Sequence, residues 1–341
     1  MTGTLQSPLE PVLPLPLPLV PRAVARPTVC VVSPVLNEEA TLPRFCDALA
    51  AVFEPLGMSW SAIFVSDGSR DGTPQLLRER AKRDARFGFV LLSRNFGHQA
   101  SISAGLDFAD ADVVITIDAD LQQPPELIPR MLDAWRAGYD VIHARKLDTV
   151  GLPPLRAAAT NLAWRIVRRV SDVPMIAQGG DFRLLDRRAL DAVRKLPEQR
   201  RLHRGLVAWI GFNQAVLPYV ARAREAGTSQ FSVRRLLSVF GQALFDFSSL
   251  PLYVGLFLGG VAVVLSAAYL LFIAAWLMFG NSAPPGWASS ISVTLLLNSV
   301  ILAFLGIIGV YVARIYNEVR QRPTYLVSDA SVRAPAARGD A

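Results

Sequence analysis

The feature that most restricts the fold of this chain is a stretch from Phe247 to Ala313 that contains no Asp, Glu, Lys or Arg. A membrane-spanning helix needs about 20 apolar residues, so the stretch has room for two. A break at Gly280–Gly286 separates a predicted helix over Leu250–Phe279 from a second over Ala288–Ala313. A helix pair buried in a soluble domain is the alternative, but the length and the complete absence of charge favour two membrane spans over residues 248–313.

The basic residues around this stretch predict its orientation. Arginines lie before the first span and after the second, and the connecting loop has none: Arg222, Arg224, Arg234, Arg235, Arg314, Arg320 and Arg322. Cytoplasmic segments carry the excess of Lys and Arg, so both ends of the chain are expected in the cytoplasm. The net charge of +7 suits anionic lipid, and with a membrane hairpin present we expect no nucleic-acid partner.

The N-terminal part divides into two regions. Residues 1–27 are rich in Pro and Leu, which predicts a disordered or polyproline-like arm. From Thr28 to Gln230, short β-branched strands alternate with helical patterns, which predicts an α/β domain with a mostly parallel sheet. The predicted strands are Thr28–Ser33, Trp60–Val65, Phe87–Leu92, Val113–Ile117 and Asp140–Ala144.

Residues 231–247 have a different pattern. Apolar residues follow helical spacing, while arginines lie off that stripe. We expect an interfacial helix on the cytoplasmic leaflet, with a helix packed on the soluble domain as the alternative. Residues 314–341 are expected to form a cytoplasmic tail. The two cysteines, Cys30 and Cys46, show no metal-binding spacing and are expected to be free thiols.

Polar clusters follow several of the predicted strands. Asp118 and Asp120 end an apolar run at a spacing of two, so their side chains can point to the same side of the sheet edge. Carboxylate oxygens suit Mg²⁺ or Mn²⁺, which often bind substrate phosphates as well. An ordinary turn is the alternative for this short motif. The segment from Asp67 to Gly72 follows another strand, and the two clusters are expected to share the ligand-binding edge of the sheet.

Several motifs together resemble those of family 2 glycosyltransferases with the GT-A fold, a Rossmann-like domain, and specifically the branch that uses polyprenyl phosphates. The motifs are Ser33-Pro-Val-Leu-Asn-Glu-Glu39, Val65-Ser-Asp-Gly-Ser-Arg-Asp-Gly-Thr73, Ser93-Arg-Asn-Phe-Gly97, Ile117-Asp-Ala-Asp-Leu-Gln-Gln-Pro-Pro-Glu126 and Gly180-Asp-Phe-Arg-Leu184. Each motif alone is weak, but their order and spacing are specific. The resemblance runs from about Val31 to the end of the second predicted span.

The resemblance implies binding of a UDP- or GDP-linked sugar. Pro34, Asn37, Glu39 and Asp67 are placed to contact the base and ribose, with Asp67 on the base. Arg94 is expected either to contact phosphate or to brace its own loop. Ser66 stands where most relatives have an acid, and Gln230 stands where they often have Lys, so the contacts at both positions are open.

The resemblance also implies a metal ligand set and a catalytic residue. Gln122 is expected to join Asp118 and Asp120 as a neutral ligand of Mg²⁺ or Mn²⁺. No role is assigned to Gln123, and His98 is expected to be structural or solvated rather than catalytic. Asp181 matches the catalytic residue of the family, and we expect it to orient the acceptor or metal rather than to abstract a proton.

An anionic acceptor would need arginines. Arg183, Arg200, Arg201 and Arg204 are expected to bind the acceptor and phosphate groups, since guanidinium groups bind phosphate oxygens bidentately. The alternatives are an internal pair of Asp181 with Arg183 and a solvated basic surface.

The implied reaction is transfer of a sugar, with inversion, to a polyprenyl phosphate such as undecaprenyl phosphate in a bacterial inner membrane, for modification of a cell-envelope glycan. Homo-oligomers occur among similar enzymes. Two alternatives are a polysaccharide synthase, which would carry a Gln-x-x-Arg-Trp motif and more spans, and a non-catalytic membrane-anchored sugar-nucleotide-binding partner of a glycan assembly complex.

Overall fold

The computed structural model describes residues 9–11, 18–24, 26–147, 179–198, 201–220 and 286–332, with scattered positions between 255 and 279. Contacts group the chain into two units. The first combines residues 1–158, 173–229 and 322–341, and the second combines residues 159–172 and 230–321. Each unit is described by itself.

A nine-stranded sheet runs through the described part of the first unit, in the order β1-β8-β6-β7-β5-β2-β3-β4-β9. Its strands are β1 (Glu10–Pro11), β2 (Val29–Val35), β3 (Trp60–Ser66), β4 (Phe87–Leu92), β5 (Val113–Thr116), β6 (Val141–Leu147), β7 (Gly179–Asp186), β8 (Gln214–Val220) and β9 (Val327–Ala330). The five strands predicted from the sequence correspond to β2 through β6.

Helices cover both faces of this sheet. They are α1 (Leu42–Phe53), α2 (Thr73–Arg83), α3 (His98–Phe108), α4 (Ile128–Arg136), α5 (Arg187–Lys195) and α6 (His203–Trp209). Residues of β2 alternate between the two cores: Val31 packs in the cluster that contains Phe45 of α1, and Val32 packs in the cluster that contains Ile102 of α3. Burial on both faces explains why the strand is a continuous apolar run.

The sheet is mixed, with parallel pairs as the sequence predicts and antiparallel pairs beside them. Strands β5, β2, β3 and β4 pair in parallel, as does β6 with β8. The other neighbouring pairs, including both pairs made by β7, are antiparallel. The reason is that β7 inserts between β5 and β6, where Thr116 pairs with Arg183.

Segments from outside the predicted α/β region complete both edges. Glu10 and Pro11 pair with β8, and Arg22 lies over the Trp135 ring with its guanidinium 2.5 Å from Asp140. This segment is therefore held against the sheet, which differs from the predicted disordered arm. The reason is that the buried carboxylate of Asp140 needs a positive charge, and Arg22 supplies it. At the other edge, β9 lies within the predicted tail and pairs antiparallel with β4.

The second unit contains α7 (Trp287–Val319), whose described apolar side chains include exposed Leu302, Leu305 and Val312. Among the described residues, no helix combines the length and the hydropathy of a membrane span. The two-span hairpin stays a prediction. The predicted interfacial helix over residues 231–247 lies outside the described residues.

Candidate functional site

The carboxyl ends of four neighbouring parallel strands, β5, β2, β3 and β4, form one edge of the sheet. The polar clusters after these strands therefore meet there, as the sequence predicts. The pairing of β2 with β5 ends at Val32, which lies opposite Thr116. Pro34 lies in β2 two residues after that point. The missing N–H of proline is tolerated there because no ladder bond to β5 is needed at that position.

Two predicted nucleotide-contact residues join the loops that follow β2 and β3. Asn37 accepts the backbone N–H of Arg70 at 2.9 Å, and Glu39 accepts that of Gly72 at 2.9 Å. A Cβ atom at Gly72 would lie 2.6 Å from the Glu39 carboxylate, so a side chain there would displace this carboxylate. The side chains of Asn37 and Glu39 are both exposed. The hydrogen bonds hold the two loops as one polar surface at the sheet edge.

Asp67 clamps the next loop. Its two oxygens accept the backbone N–H groups of Phe96 at 2.7 Å and Gly97 at 2.9 Å, and the residue is buried. The neighbouring Ser66 is also buried and hydrogen-bonds Ser69, so the uncharged residue is satisfied internally. Asp67 therefore fixes the loop after β4, and its predicted contact with a base stays a prediction.

Arg94 lies on that same loop. Its guanidinium donates to the Asn95 carbonyl at 3.1 Å and lies 4.0 Å from the centre of the Phe96 ring. These contacts favour the loop-bracing role over the phosphate-binding one.

Gln123 orients Asp118 through both ends of its amide. Its oxygen accepts the backbone N–H of Asp118 at 3.0 Å, and its nitrogen donates to Asp118 Oδ2 at 2.6 Å. The residue is buried. The sequence assigned no role to Gln123, whose function depends on this tertiary geometry.

Asp120 and Gln122 form a second compact pair. Asp120 accepts the Gln122 backbone N–H at 3.0 Å and the Gln122 side-chain amide at 2.7 Å. Between them, Leu121 has a φ of +58°, a backbone conformation that is uncommon for a leucine. Such local strain is often found at functional sites, where the surrounding structure holds it.

The donor set fits a divalent cation. Partial burial raises the pKa of Asp118 to about 6, and the charges of Asp181 and Asp120 act in the same direction, against His98 and Arg204. Burial is the main cause, so a cation beside Asp118 would stabilise its carboxylate. No group of three His, Cys, Asp or Glu in the described ranges is arranged to hold a metal. Two carboxylates with an amide suit an ion that also binds phosphate.

Asp181 is buried at the centre of a network of donors. Arg183 donates to Oδ1 at 2.8 Å, Gln99 donates to Oδ2 at 3.1 Å, and Arg204 lies 3.3–3.4 Å from the two oxygens. His98 Nε2 lies 3.4 Å from Asp181 and 3.6 Å from Asp118. The half-exposed His98 therefore links the predicted metal site with the predicted catalytic residue.

The network determines the charge of Asp181. Burial by itself would raise its pKa, but the hydrogen bond with His98 and the charges of Arg183 and Arg204 hold the pKa well below the usual range. An aspartate this strongly stabilised as a carboxylate is a poor proton acceptor. The geometry suits orientation and charge placement.

The predicted acceptor arginines occupy different environments. Arg183 is buried, and it also donates to the carbonyls of His203 and Gly180, so it supports Asp181 from inside and does not face an acceptor as the sequence predicts. Arg201 turns towards Asp107, the Glu198 carbonyl and the Leu196 carbonyl.

Arg204 keeps 48% of its side chain exposed, so among the described arginines that contact Asp181 it is the one that can reach a bound anion. Arg200 lies outside the described residues.

Comparisons with known proteins identify the family of the chain. The glycosyl transferase family 2 profile matches residues 30–193. The chain is similar to an uncharacterized glycosyltransferase, YkcC, of Bacillus subtilis, with 35% identity over 87% of this chain and 92% of the relative. It is also similar to a prophage-derived bactoprenol glucosyl transferase of Shigella flexneri, with 32% identity over 88% of this chain and 97% of the relative.

Among solved structures, a mannosyltransferase from Pyrobaculum calidifontis in complex with GDP-Man and Mn²⁺ matches 84% of this chain and 89% of its own, at 17% identity and a TM-score of 0.47. The extended similarity to curated relatives and the profile match establish the family. The chain belongs to the family 2 glycosyltransferases.

Proposed function

We propose that this protein transfers a sugar from a nucleotide diphosphate donor to a polyprenyl phosphate, with inversion at the anomeric carbon. The product is a lipid-phosphate-linked sugar for modification of a cell-envelope glycan. Relatives named bactoprenol glucosyl transferases, at about 32% identity over most of the chain, support this acceptor class. The sugar and the base of the donor are left open between UDP- and GDP-linked sugars.

The observation that carries the proposal is that Asp181 lies among cationic donors, with Arg183 at 2.8 Å and Arg204 at 3.3–3.4 Å. Two arginines and His98 hold it as a carboxylate, so the site has a poor general base where transfer to a sugar hydroxyl would need a good one. A phosphate monoester has a second pKa near 6, so it is already largely a nucleophilic anion at neutral pH. Such an acceptor needs positioning and charge neutralisation.

The residues divide the work in this proposal. Asp118, Asp120 and Gln122 would hold Mg²⁺ or Mn²⁺, and a bound ion would supply positive charge to the departing nucleotide diphosphate. Gln123 orients Asp118, and the braced loops of Asn37 and Glu39 bind the nucleoside. Arg204, which lies beside the buried Asp181, orients the acceptor phosphate at the exposed side of the site.

We further propose that residues 248–313 form a membrane hairpin in the bacterial inner membrane. The first unit, which contains the site and is called the catalytic unit below, and both termini then lie in the cytoplasm. The absence of charged residues from Phe247 to Ala313 supports this placement, as do the flanking arginines. An acceptor with its phosphate at the inner leaflet would then lie on the same side of the membrane as the site.

Membranes that contain the protein test the reaction directly. With undecaprenyl phosphate and a panel of radiolabelled UDP- and GDP-sugars, we expect label in the organic phase, lost with a chelator and restored by Mn²⁺ or Mg²⁺. Asp118→Asn should reduce transfer by at least about a hundredfold. Absence of transfer with every donor would reject the proposal.

The same experiment separates the alternatives. A polysaccharide synthase would place label in a polymer that does not extract with lipid. A non-catalytic sugar-nucleotide-binding partner would retain its cellular phenotype when Asp118 is replaced by Asn, whereas a catalytic chain would lose it.

A further inference from the structure

The first residue of α6 is joined to Asp181 by two side chains. Gln99 accepts the backbone N–H of His203 at 3.0 Å and donates to Asp181 Oδ2 at 3.1 Å. Arg183 donates to the backbone carbonyl of His203 at 2.9 Å and to Asp181 Oδ1 at 2.8 Å. The N–H and the C=O of one residue are therefore linked to the two oxygens of one carboxylate.

This double link sets the position of Arg204, which follows His203 in the chain. The Arg204 guanidinium has five N–H donors, two of which face Asp181 at 3.3–3.4 Å. These contacts are longer than the 2.8 Å bond from Arg183, and the side chain is 48% exposed. Arg183 is therefore the fixed counter-ion of Asp181, and Arg204 is the one that can reach a bound anion.

We propose that Gln99 is a positioning residue that holds the first turn of α6 against Asp181, so that Arg204 presents its guanidinium to the phosphate of the acceptor. This inference rests on the proposed function and assigns a specific task at its acceptor side. Gln99 acts through the backbone of His203 and through Arg204.

An amide is the group that this position needs. One end must accept an N–H and the other must donate to a carboxylate, and a glutamine side chain does both. Gln99→Glu keeps the volume and the acceptor but turns a negative charge towards Asp181. Gln99→Met keeps the length and removes both hydrogen bonds, which leaves the His203 N–H without its partner.

The chain offers a matched control on the same two helices. Ser103, one turn further along α3, hydrogen-bonds the buried His203 ring at 2.9 Å. Ser103→Ala removes this second link between α3 and α6 but leaves the Gln99 bridge to Asp181. A general weakening of the packing between the two helices would affect both variants alike.

The test measures steady-state kinetics of the full-length protein in membranes, with donor and undecaprenyl phosphate varied separately. We expect Gln99→Met and Gln99→Glu to raise KM for the lipid phosphate by about tenfold, with KM for the donor within about twofold. Ser103→Ala should leave both KM values near wild type. In an Arg204→Ala background, Gln99→Met should have no further effect on the lipid KM.

Hydrogen exchange of residues 201–209 gives a second measurement that does not need catalysis. Inorganic phosphate should slow exchange there in the wild type and not in Gln99→Met, while exchange in β5 and β7 stays the same. If the wild type transfers no sugar, the proposed function fails, and the hydrogen-exchange measurement still decides the role of Gln99. Equal effects of Ser103→Ala and Gln99→Met, equal changes in both KM values, or phosphate protection that persists in Gln99→Met would overturn the inference.

Discussion

Asp118 and Asp181 are two carboxylates at one site whose charges are stabilised to different degrees. Partial burial and neighbouring carboxylates raise the pKa of Asp118, whereas His98 and two arginines hold that of Asp181 low. The first carboxylate lacks a full counter-charge and suits a cation. The second already has its counter-charges and suits orientation. Residue type alone does not separate these roles; the neighbours do.

Replacement of Gln123 by Ala tests how much the orientation of Asp118 matters. The change removes the bond to Asp118 Oδ2 and the acceptor for its backbone N–H. Groups that orient a metal ligand typically contribute 10- to 100-fold to affinity, so Mn²⁺ affinity should fall by about that factor. Titration of the purified full-length protein, followed by electron paramagnetic resonance of free Mn²⁺, measures it without substrate.

Gln75→Ala is the control for that measurement, because Gln75 is an exposed glutamine on α2. It should bind Mn²⁺ as the wild type does. Unchanged Mn²⁺ affinity in Gln123→Ala would show that Asp118 needs no such support.

His143 gives a prediction about pH and stability. Burial, helped by the charge of Arg183, lowers its pKa to about 3, against the hydrogen bond with Gln214. Between pH 6.5 and 3 the unfolded chain therefore binds a proton that the folded chain does not. The free energy of unfolding should fall with decreasing pH in this window, by up to about 1.4 kcal/mol per unit from this residue.

Urea unfolding of the detergent-solubilised protein at pH 7 and pH 5 measures this effect. The wild type should lose about 2 kcal/mol more than His143→Gln over that interval. His203, whose pKa is also lowered to about 3, is present in both proteins, so its contribution cancels. Equal losses in the two proteins would contradict a neutral buried His143.

At the scale of elements, the strands with strong apolar runs were predictable from the sequence, and the others were not. The predicted strand Trp60–Val65 is one residue shorter than β3. In contrast, β7 carries the polar Asp181 and Arg183, and β9 is a four-residue strand in the tail. Their strand structure depends on partners distant in sequence, which local patterns do not contain.

The same distinction applies to the site. Asp118 and Asp120 were predictable because they end an apolar strand. The roles of Gln99 and Gln123 come from hydrogen bonds to particular partners, which no spacing in the sequence reveals. Arg183 was expected at the acceptor, but it is buried because β7 pairs it with Thr116 in the interior of the sheet.

The contact between α3 and β2 predicts an unusual effect of alanine. A Cβ atom at Gly105 would lie 2.2 Å from Cγ1 of Val32 and 3.1 Å from Cγ2 of Val65. Alanine gains about 1 kcal/mol in helix propensity, but overpacking costs typically 1–3 kcal/mol. At so close an approach we expect Gly105→Ala to destabilise the protein by about 1–2 kcal/mol in urea unfolding.

A double-mutant cycle with Val32→Ala checks the cause. Val32→Ala removes the methyl group that lies closest, so Gly105→Ala should cost less in that background than in the wild type. A stabilising Gly105→Ala, or additive effects of the two changes, would show that the helix moves without cost.

At the scale of the whole molecule, segments from near both chain ends belong to the catalytic unit. Strand β1 pairs with β8, and β9 pairs with β4, where Arg78 also lies 2.9 Å from Asp329. Both edges of the described sheet are therefore very short strands, which limits pairing with other chains. The cytoplasmic location of both ends in the proposed topology agrees with this arrangement, since both ends must then lie on the same side of the membrane.

Cysteine labelling tests that topology on a favourable background. Cys30 and Cys46 are buried, and burial raises the pKa of each thiol to about 12, so the unaltered protein should not react with a membrane-impermeant maleimide. Ala283→Cys, between the predicted spans, should react in intact spheroplasts. Ala336→Cys, in the tail, should react only after permeabilisation.

The two new cysteines must behave oppositely, because the topology places an even number of spans between the catalytic unit and the tail and a single span before position 283. Labelling of position 336 in intact spheroplasts would put the tail outside, which conflicts with its strand β9 in the catalytic sheet unless that unit is outside too. If neither position 283 nor position 336 reacts with the maleimide in intact spheroplasts, the uncharged stretch does not cross the membrane.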